Sequence, residues 1–222
     1  MTISIGLLVF PNVQQLDLTG PYEVFASAPG VTVHLIWKDL APIRSATGLM
    51  LAPTMLLADC PQLDVICVPG GAGVNALLTD AVVLDFLRHQ AAEARFVTSV
   101  CTGSLVLGMA GLLEGRRASS HWNAVDLLPR LGAIPTEGRV VRDGNVITAG
   151  GVTSGIDFGL TVLAELVGED VARRVQLSLE YAPEPPFDSG TPDRAPAELV
   201  AQARAGMAAS RAERERLLPP VS

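Results

Sequence analysis

The amino-acid sequence predicts an α/β protein with a flavodoxin-like three-layer sandwich, in which helices cover both faces of a mainly parallel sheet. First, short apolar segments of strand length alternate with helical patterns along the 222 residues. Second, the chain is 49% hydrophobic and 18% charged, which is typical of a sheet buried on both faces. Third, the segment TSVCTGSLVLG joins a strand to a helix through Cys101, the layout of a nucleophile elbow.

The apolar strand-like segments are Ile3 to Phe10, Val31 to Trp37, Val65 to Val68, Phe96 to Val100 and Val146 to Thr148. Helical spacing of apolar residues follows at Ala81 to Ala94 and again after Ser154. The Asp143-Gly144 pair lies between two short apolar runs and predicts a β-hairpin. A last helix is expected from Ala197 to about Leu217.

We expect residues 1–181 to form the α/β domain and residues 182–222 to form a proline-rich loop with a C-terminal helix. This second segment belongs to the same domain or forms a dimer interface. Its helix carries an apolar face that needs cover, formed by Leu199, Val200, Ala203 and Met207. Either the helix crosses to a second copy, which gives a homodimer, or it folds back on its own sheet.

Charge and composition exclude several classes of partner. A net charge of -7 disfavours nucleic acid, whose binding needs clustered Lys and Arg. The start of the chain has no basic leader, and polar residues interrupt the uncharged run from Phe96 to Leu113, so neither secretion nor a membrane span is expected. The 3 cysteines form no CxxC pair, so we expect no disulfide framework or zinc site and a reducing, cytoplasmic location.

Cys101 is the first candidate for chemistry, because ligands of such sheets gather at the carboxyl ends of the strands. At a helix N-terminus a thiol meets unpaired N–H groups and the positive end of the helix dipole, so we expect a lowered pKa and a nucleophilic thiolate. The alternative is a buried, inert cysteine. That second interpretation is the preferred one for Cys60 and Cys67.

Asp17 is the second candidate, in the loop that leaves the first strand toward the same sheet edge. Burial and a nearby thiolate are expected to raise its pKa, which makes it a general acid at neutral pH. Alternatively, Asp17 only caps a helix that begins near Pro21. His121 stands beside Trp122 and is assigned a supporting position around the site, without a direct catalytic role.

The glycine-rich segment PGGAG follows the strand Val65 to Val68. Its spacing superficially matches a dinucleotide fingerprint, but it does not follow the first strand and lacks the acid that such sites place after the next one. We expect the backbone N–H groups of Gly71 and Ala72 to stabilise negative charge on a ligand. A plain tight turn explains the same residues equally well.

Taken together, the motifs VFPNVQQLDLTGPYEVF, VICVPGGAG, TSVCTGSLVLGMAGLLEG, RASSHW and GGVTSGIDFGL resemble the DJ-1/PfpI superfamily. Within it, Asp17 in VQQLDLTGP, Thr102 after the cysteine and the proline-rich tail are most similar to the members that hydrate isocyanides. The resemblance implies a hydro-lyase that converts a small isocyanide (isonitrile), R–NC, into an N-substituted formamide, without metal or organic cofactor.

The same resemblance implies roles for three side chains. Cys101 attacks the terminal carbon while Asp17 protonates it, which gives a thioimidate. Water activated by Asp17 then releases the product, and Thr102 holds the acid or the water. Protease-like relatives instead carry histidine directly after the cysteine, so peptidase activity is not expected.

Two other functions within the superfamily stay open at this point. One is the ligand-sensing domain of an AraC-type regulator, although only about forty residues follow Tyr181 and a pair of helix-turn-helix motifs needs more. The other is a redox sensor or carbonyl-repair protein that uses Cys101. Those relatives more often carry glutamate where this chain has Asp17.

Overall fold

The computed structural model describes residues 2–220. Its main sheet has 7 strands in the order β10-β11-β7-β6-β1-β2-β5, and every neighbouring pair is parallel except β10 with β11. Two small sheets pair β3 with β4 and β8 with β9. The strands are β1 Ile3–Leu8, β2 Val31–Trp37, β3 Ile43–Arg44, β4 Met50–Leu51, β5 Met55–Leu56, β6 Val65–Val68, β7 Phe96–Val100, β8 Arg117–Ala118, β9 Ile134–Pro135, β10 Val140–Asp143 and β11 Val146–Ala149.

Helices cover both faces of the main sheet. They are α1 Gln15–Ala26, α2 Val74–Leu77, α3 Ala81–Ala91, α4 Gly103–Met109, α5 Ser154–Val167, α6 Glu169–Ser178 and α7 Ala197–Leu217, with 3₁₀ turns at Leu57–Asp59 and Val125–Leu131. Helices α1, α5 and α6 pack together on one side, whereas α2, α3, α4 and α7 lie on the other. The predicted α/β sandwich is confirmed, as is the hairpin of β10 and β11 around Gly144.

Alternation along the strands divides the core between the two faces. In β6, Val65 and Cys67 join the cluster under α1 and α5, while Ile66 and Val68 join the cluster on the opposite face. This period of two is what a strand buried on both sides requires. Cys67 is thereby directed into packed apolar side chains, as expected for an inert cysteine.

The strand order determines where a ligand can bind. Strand β1 is central: β2 follows it on one side, and β6, β7 and β11 follow on the other. The chain therefore reverses its direction of winding between β1 and β6, and in open α/β sheets ligands bind in the crevice at this point. The segments after β1, β6 and β7 all leave from this edge.

Helix α1 begins earlier than the sequence suggested. It starts at Gln15, so Asp17 lies in its first turn and Pro21 lies inside the helix. The expectation of a helix beginning near Pro21, with Asp17 in a loop, is wrong. Proline lacks an N–H, so Pro21 leaves the Asp17 carbonyl without its usual i+4 donor, and packing of Pro21 near Gly155 of α5 holds the helix instead.

The two halves of the C-terminal helix α7 differ in burial and in their contacts with the rest of the chain. Its second half returns to the chain's own α/β core: the side-chain amide of Asn75 donates to the carbonyl of Ser210 at 3.0 Å, and Arg211 pairs with Asp126. Its first half is largely exposed, with Leu199 accessible to solvent. Between residues 2 and 220, no helix is long and apolar enough to cross a membrane.

Candidate active site

Cys101 lies at a sharp turn between β7 and α4. Its φ angle is 58°, in the left-handed region that non-glycine residues seldom adopt and that costs roughly 1–3 kcal/mol. Three hydrogen bonds hold this conformation: the Cys101 N–H donates to the Ala149 carbonyl at 3.0 Å, and the Cys101 carbonyl accepts from the hydroxyls of Ser104 at 3.2 Å and Ser120 at 3.1 Å. The strained turn predicted for a nucleophile elbow is therefore present.

Two glycines allow the segments after β6 and β7 to approach closely. A Cβ on Gly103 would lie 1.9 Å from the Val68 carbonyl oxygen, which only glycine avoids. A Cβ on Gly70 would lie 2.7 Å from Oδ2 of Asp17 and 2.8 Å from the Cβ of Cys101. Asp17 and Cys101 thus flank the same point above Gly70.

The carboxyl group of Asp17 is completely buried. Its Oδ2 accepts a hydrogen bond from the Gly70 N–H at 2.9 Å, whereas Oδ1 has no partner among the described residues. Burial raises the pKa of Asp17 to about 7, against smaller lowering effects from the Gly70 N–H and the Cys101 thiol. The predicted direction is confirmed, but its cause is burial alone, because the thiol opposes the shift.

The expectation of a lowered pKa for Cys101 is wrong. Burial, followed by the negative charge of Asp17, raises the pKa of this thiol well above its usual range, and the N–H of Thr102 only partly offsets the rise. The side chain is 5% exposed, so a thiolate would lose most of its hydration. The helix N-terminus does not outweigh that loss.

Asp17 and Cys101 consequently act as a coupled pair. With both groups protonated, the site lacks a nucleophile. After one proton leaves, the pair holds one proton and one negative charge, and moving that proton from sulfur to carboxyl creates an acid beside a thiolate. This form can deliver a proton and a nucleophile to a single electrophilic atom.

The chain is similar to known proteins of one family. The DJ-1/PfpI family model matches residues 3–165. The chain belongs to the DJ-1/PfpI family. It is 67% identical over 204 residues to the isonitrile hydratase of Pseudomonas putida, which covers 92% of this chain and 90% of that protein.

Solved structures of relatives show the same fold. A THiJ/PfpI family protein from Pseudomonas syringae has 43% identity and a TM-score of 0.94, covering 98% of this chain and 90% of its own. DJ-1beta of Drosophila melanogaster has 25% identity and a TM-score of 0.73, covering 82% of this chain and all of its own. The family fold therefore extends from bacterial to animal relatives.

In this DJ-1/PfpI protein, Thr102 connects the elbow to the glycine-rich segment. Its hydroxyl accepts a hydrogen bond from the Gly71 N–H at 3.2 Å. The N–H proposed for charge stabilisation at Gly71 is thus already engaged, while the Ala72 N–H has no acceptor within the described chain. A β-bridge between Val13 and Gly71 holds the segments after β1 and β6 together.

His121 borders the same region, following β8. Its Nδ1 accepts a hydrogen bond from the Asn123 N–H at 3.2 Å, and its ring leans against Trp122 with centroids 5.3 Å apart. Burial, followed by the positive charge of Arg214, lowers its pKa. The neutral form of His121 is thereby favoured, and its supporting role stays a prediction.

Sequence reasoning missed three residues of this region: Ser120, Asn75 and Arg214. Ser120 belongs to the quoted motif RASSHW, but nothing in that motif indicated a hydroxyl directed at the Cys101 carbonyl. Arg214 comes from α7, whose return to the core the sequence left open. A lone arginine in a charged helix gives no signal of burial.

The other two cysteines are protonated thiols. Burial raises the pKa of Cys60 to about 11 and that of Cys67 to about 12, so both stay protonated at neutral pH. Between residues 2 and 220, no three side chains of His, Cys, Asp or Glu converge as a metal site requires.

Proposed function

We propose that this protein hydrates isonitriles to N-substituted formamides at Cys101 and Asp17. The observation that carries the proposal is the buried pair itself, a thiol beside a carboxyl group whose pKa is about 7. An isonitrile carbon must gain both a proton and a nucleophile, and these two groups supply one each. The identity of 67% with an isonitrile hydratase supports the same substrate class.

In the first step, Asp17 gives its proton to the isonitrile carbon while the sulfur of Cys101 forms a bond to the same carbon. The carbon–nitrogen triple bond becomes a double bond, and the product is a thioimidate, R–N=CH–S-Cys101. The net charge of the site does not change, because Asp17 becomes a carboxylate as the thiolate becomes part of a neutral thioimidate. This balance suits a site with little access to water.

In the second step, the Asp17 carboxylate takes a proton from water as the water oxygen adds to the thioimidate carbon. Asp17 passes this proton to the nitrogen and takes the hydroxyl proton as the carbon–sulfur bond breaks, which gives R–NH–CHO and restores the thiolate with protonated Asp17. Thr102 positions the acid or the incoming water. The Ala72 N–H is available to developing negative charge.

The test measures turnover of one aliphatic and one aromatic isonitrile by the wild type and by single-cysteine variants. Formation of the formamide product is the readout. Cys101→Ala is expected to abolish turnover with the fold intact, whereas Cys60→Ala and Cys67→Ala remain active. Mass spectrometry of wild-type protein quenched during turnover is expected to show a thioimidate adduct on Cys101. Folded wild-type protein without formamide from either substrate would favour the redox-sensor function.

We also propose that the protein is a homodimer. The chain from the last turn of α6 to the first turn of α7 exposes large apolar side chains to solvent, with Leu177 81%, Phe187 79% and Leu199 48% accessible. Exposed apolar groups of this size, close in sequence, are typical of an interface, and two-fold pairing of identical chains is the commonest way to cover them. Because the second half of α7 is held by its own chain, the first half is the part offered to a second copy.

Light scattering at micromolar concentration tests the dimer, with Phe187→Ser and Leu199→Ser as the variants. Two-fold mass for the wild type and a shift toward monomer for the double variant are expected. A wild-type monomer contradicts the proposal.

We also propose a reducing, cytoplasmic location, because hydration needs Cys101 as a free thiol. Fluorescence of a tagged protein in cells tests this location.

A further inference from the structure

Asn75 joins the glycine-rich segment of the active site to the C-terminal helix α7. It is 4% exposed and belongs to α2, which begins directly after PGGAG. Its Nδ2 donates to the Ser210 carbonyl at 3.0 Å and to Oε2 of Glu213 at 2.8 Å, and its Oδ1 accepts from Nε of Arg214 at 3.0 Å. These partners come 135 to 139 positions later in the chain, so the return of α7 is what satisfies this buried amide.

The glycine-rich segment holds the reacting groups through its own backbone. The Gly70 N–H donates to Oδ2 of Asp17 at 2.9 Å, and the Gly71 N–H donates to the hydroxyl of Thr102 at 3.2 Å. Both bonds depend on the position of the segment, because hydrogen bonds weaken steeply with distance and misalignment. A displacement of the segment therefore changes the orientation of the Asp17 carboxyl group and of the Thr102 hydroxyl together.

The two ends of this segment are supported differently. At its start, the Gly70 carbonyl accepts from the Gln14 N–H at 2.8 Å, which ties it to the chain after β1. Its end continues into α2, a helix of 4 residues that is too short to be rigid by itself. Val74 and Leu77 bury this helix in the core, but apolar packing is not directional. The hydrogen bonds of Asn75 supply the directional support at this end.

Helix α7 is itself firmly attached to the α/β core, so it can act as that support. Nη1 of Arg211 donates to Oδ1 of Asp126 at 2.9 Å. Arg130 donates to the carbonyls of Leu218 and Pro219, each at 2.7 Å. The second half of α7 cannot shift along its axis without breaking these bonds.

We propose that Asn75 is a positioning residue for hydration: by fixing the glycine-rich segment against α7, it keeps the N–H groups of Gly70 and Gly71 on Asp17 and Thr102. The C-terminal helix is thereby a working part of the active site, and Asn75 makes and breaks no covalent bond. This inference rests on the proposed function for its effect on turnover. The position of the segment can be measured without any substrate.

The first measurement is isonitrile turnover by Asn75→Ala and Glu213→Ala. Asn75→Ala is expected to lower kcat about tenfold and to leave KM within about twofold of the wild type, because the orientation of the acid matters in the transition state. Glu213→Ala removes one of the bonds from the exposed side of α7 and is expected to lower kcat about threefold. Because Glu213 is exposed, this variant keeps the test decisive if Asn75→Ala fails to fold.

Two further variants on α7 are the controls. Glu213→Gln keeps an oxygen that can accept from Asn75 and is expected to retain the wild-type kcat. Glu215→Ala is the matched control, because it makes the same change two positions along the helix, where the side chain pairs with Arg211 at 2.8 Å. Its kcat and KM are expected to equal those of the wild type. An equal loss in Glu215→Ala and Glu213→Ala, or a higher KM with unchanged kcat in Asn75→Ala, overturns the proposal.

The second measurement is amide hydrogen exchange by NMR in the absence of substrate. The Gly70 and Gly71 N–H groups are expected to exchange about tenfold faster in Asn75→Ala than in the wild type. The Val97 N–H, which donates to the Asn145 carbonyl at 2.9 Å, should keep its wild-type rate. Unchanged exchange at Gly70 and Gly71 in both alanine variants, or equal acceleration at Val97, overturns the positioning role. If the wild type hydrates neither isonitrile, the proposed function fails, and the exchange rates still decide whether Asn75 fixes the segment.

Discussion

The carboxyl group of Asp17 and the thiol of Cys101 flank the α-carbon of Gly70, although they belong to different segments of the chain. A Cβ placed there would lie 2.7 Å from the Asp17 carboxyl oxygen and 2.8 Å from the Cβ of Cys101. This proximity makes the two groups one titrating unit. The pH dependence of activity and of stability both follow from it.

Activity is expected to rise with pH across the value of about 7 at which Asp17 titrates. Below that pH both groups are protonated and the thiol cannot attack. Above it the pair has lost one proton, and transfer of the remaining proton from sulfur to the carboxylate gives the nucleophile together with the acid. The logarithm of kcat/KM should therefore increase by about one per pH unit below pH 6 and level off near pH 8. A rate that is flat from pH 5 to 8 would contradict the shared proton.

Asp17→Asn is expected to abolish hydration and to stabilise the protein at alkaline pH. The pKa of Asp17 is about 7 in the folded protein against its usual 3.8, so the folded state binds the proton more tightly. Stability is fully present below pH 3.8 and is lost as the pH rises through 7, a total of up to about 4 kcal/mol. Asparagine avoids that loss and still accepts a hydrogen bond from Gly70.

Urea unfolding at pH 4 and pH 8 measures this difference. The gain for Asp17→Asn should be small at pH 4 and largest at pH 8. Asp85→Asn is the control, because that side chain is 72% exposed and pairs only with Arg88 on the surface. A gain of equal size at both pH values would show that ionisation of Asp17 is not the cause.

The pair could be predicted from the sequence because parallel strands end at one edge, which puts residues after β1 and β7 together. The pKa of Cys101 could not, since it depends on how completely other segments bury the thiol. The start of helix α1 could not be predicted, because a proline is typical of the first turn of a helix and Pro21 lies further inside this one. Pro21 packs near Gly155 of α5, and such a long-range contact is not visible in the local sequence. Arg214 could not be predicted either, because its burial requires α7 to return to the core.

Thr102→Val is expected to reduce kcat/KM about 10- to 100-fold with little change in KM. Valine keeps the branched shape but removes the oxygen that accepts the Gly71 N–H at 3.2 Å. Thr102→Ser restores that acceptor and should retain most of the activity. Equal losses in the two variants would mean that shape, and not the hydroxyl, is what the site requires.

Gly70→Ala is expected to reduce turnover at least a hundredfold, because the added methyl group occupies the space between the acid and the nucleophile. It would contact the Asp17 carboxyl oxygen at 2.7 Å and the Thr102 backbone nitrogen at 2.7 Å, so one of them must move. Such a displacement also weakens the hydrogen bond from the Gly70 N–H to Asp17. A 1 Å error in reacting geometry is enough for a loss of this order.

Gly206→Ala is the matched control for that substitution. It lies in α7, and a Cβ there has no heavy atom within 4 Å, so activity should be unchanged. Alanine also favours a helix over glycine by about 1 kcal/mol, so this variant should be slightly more stable than the wild type. Turnover and thermal unfolding of the two variants, measured side by side, separate damage at the reacting pair from a general effect of adding a methyl group. A folded Gly70→Ala protein with near-normal turnover would show that Asp17 and Cys101 need not meet at this point for the reaction to proceed.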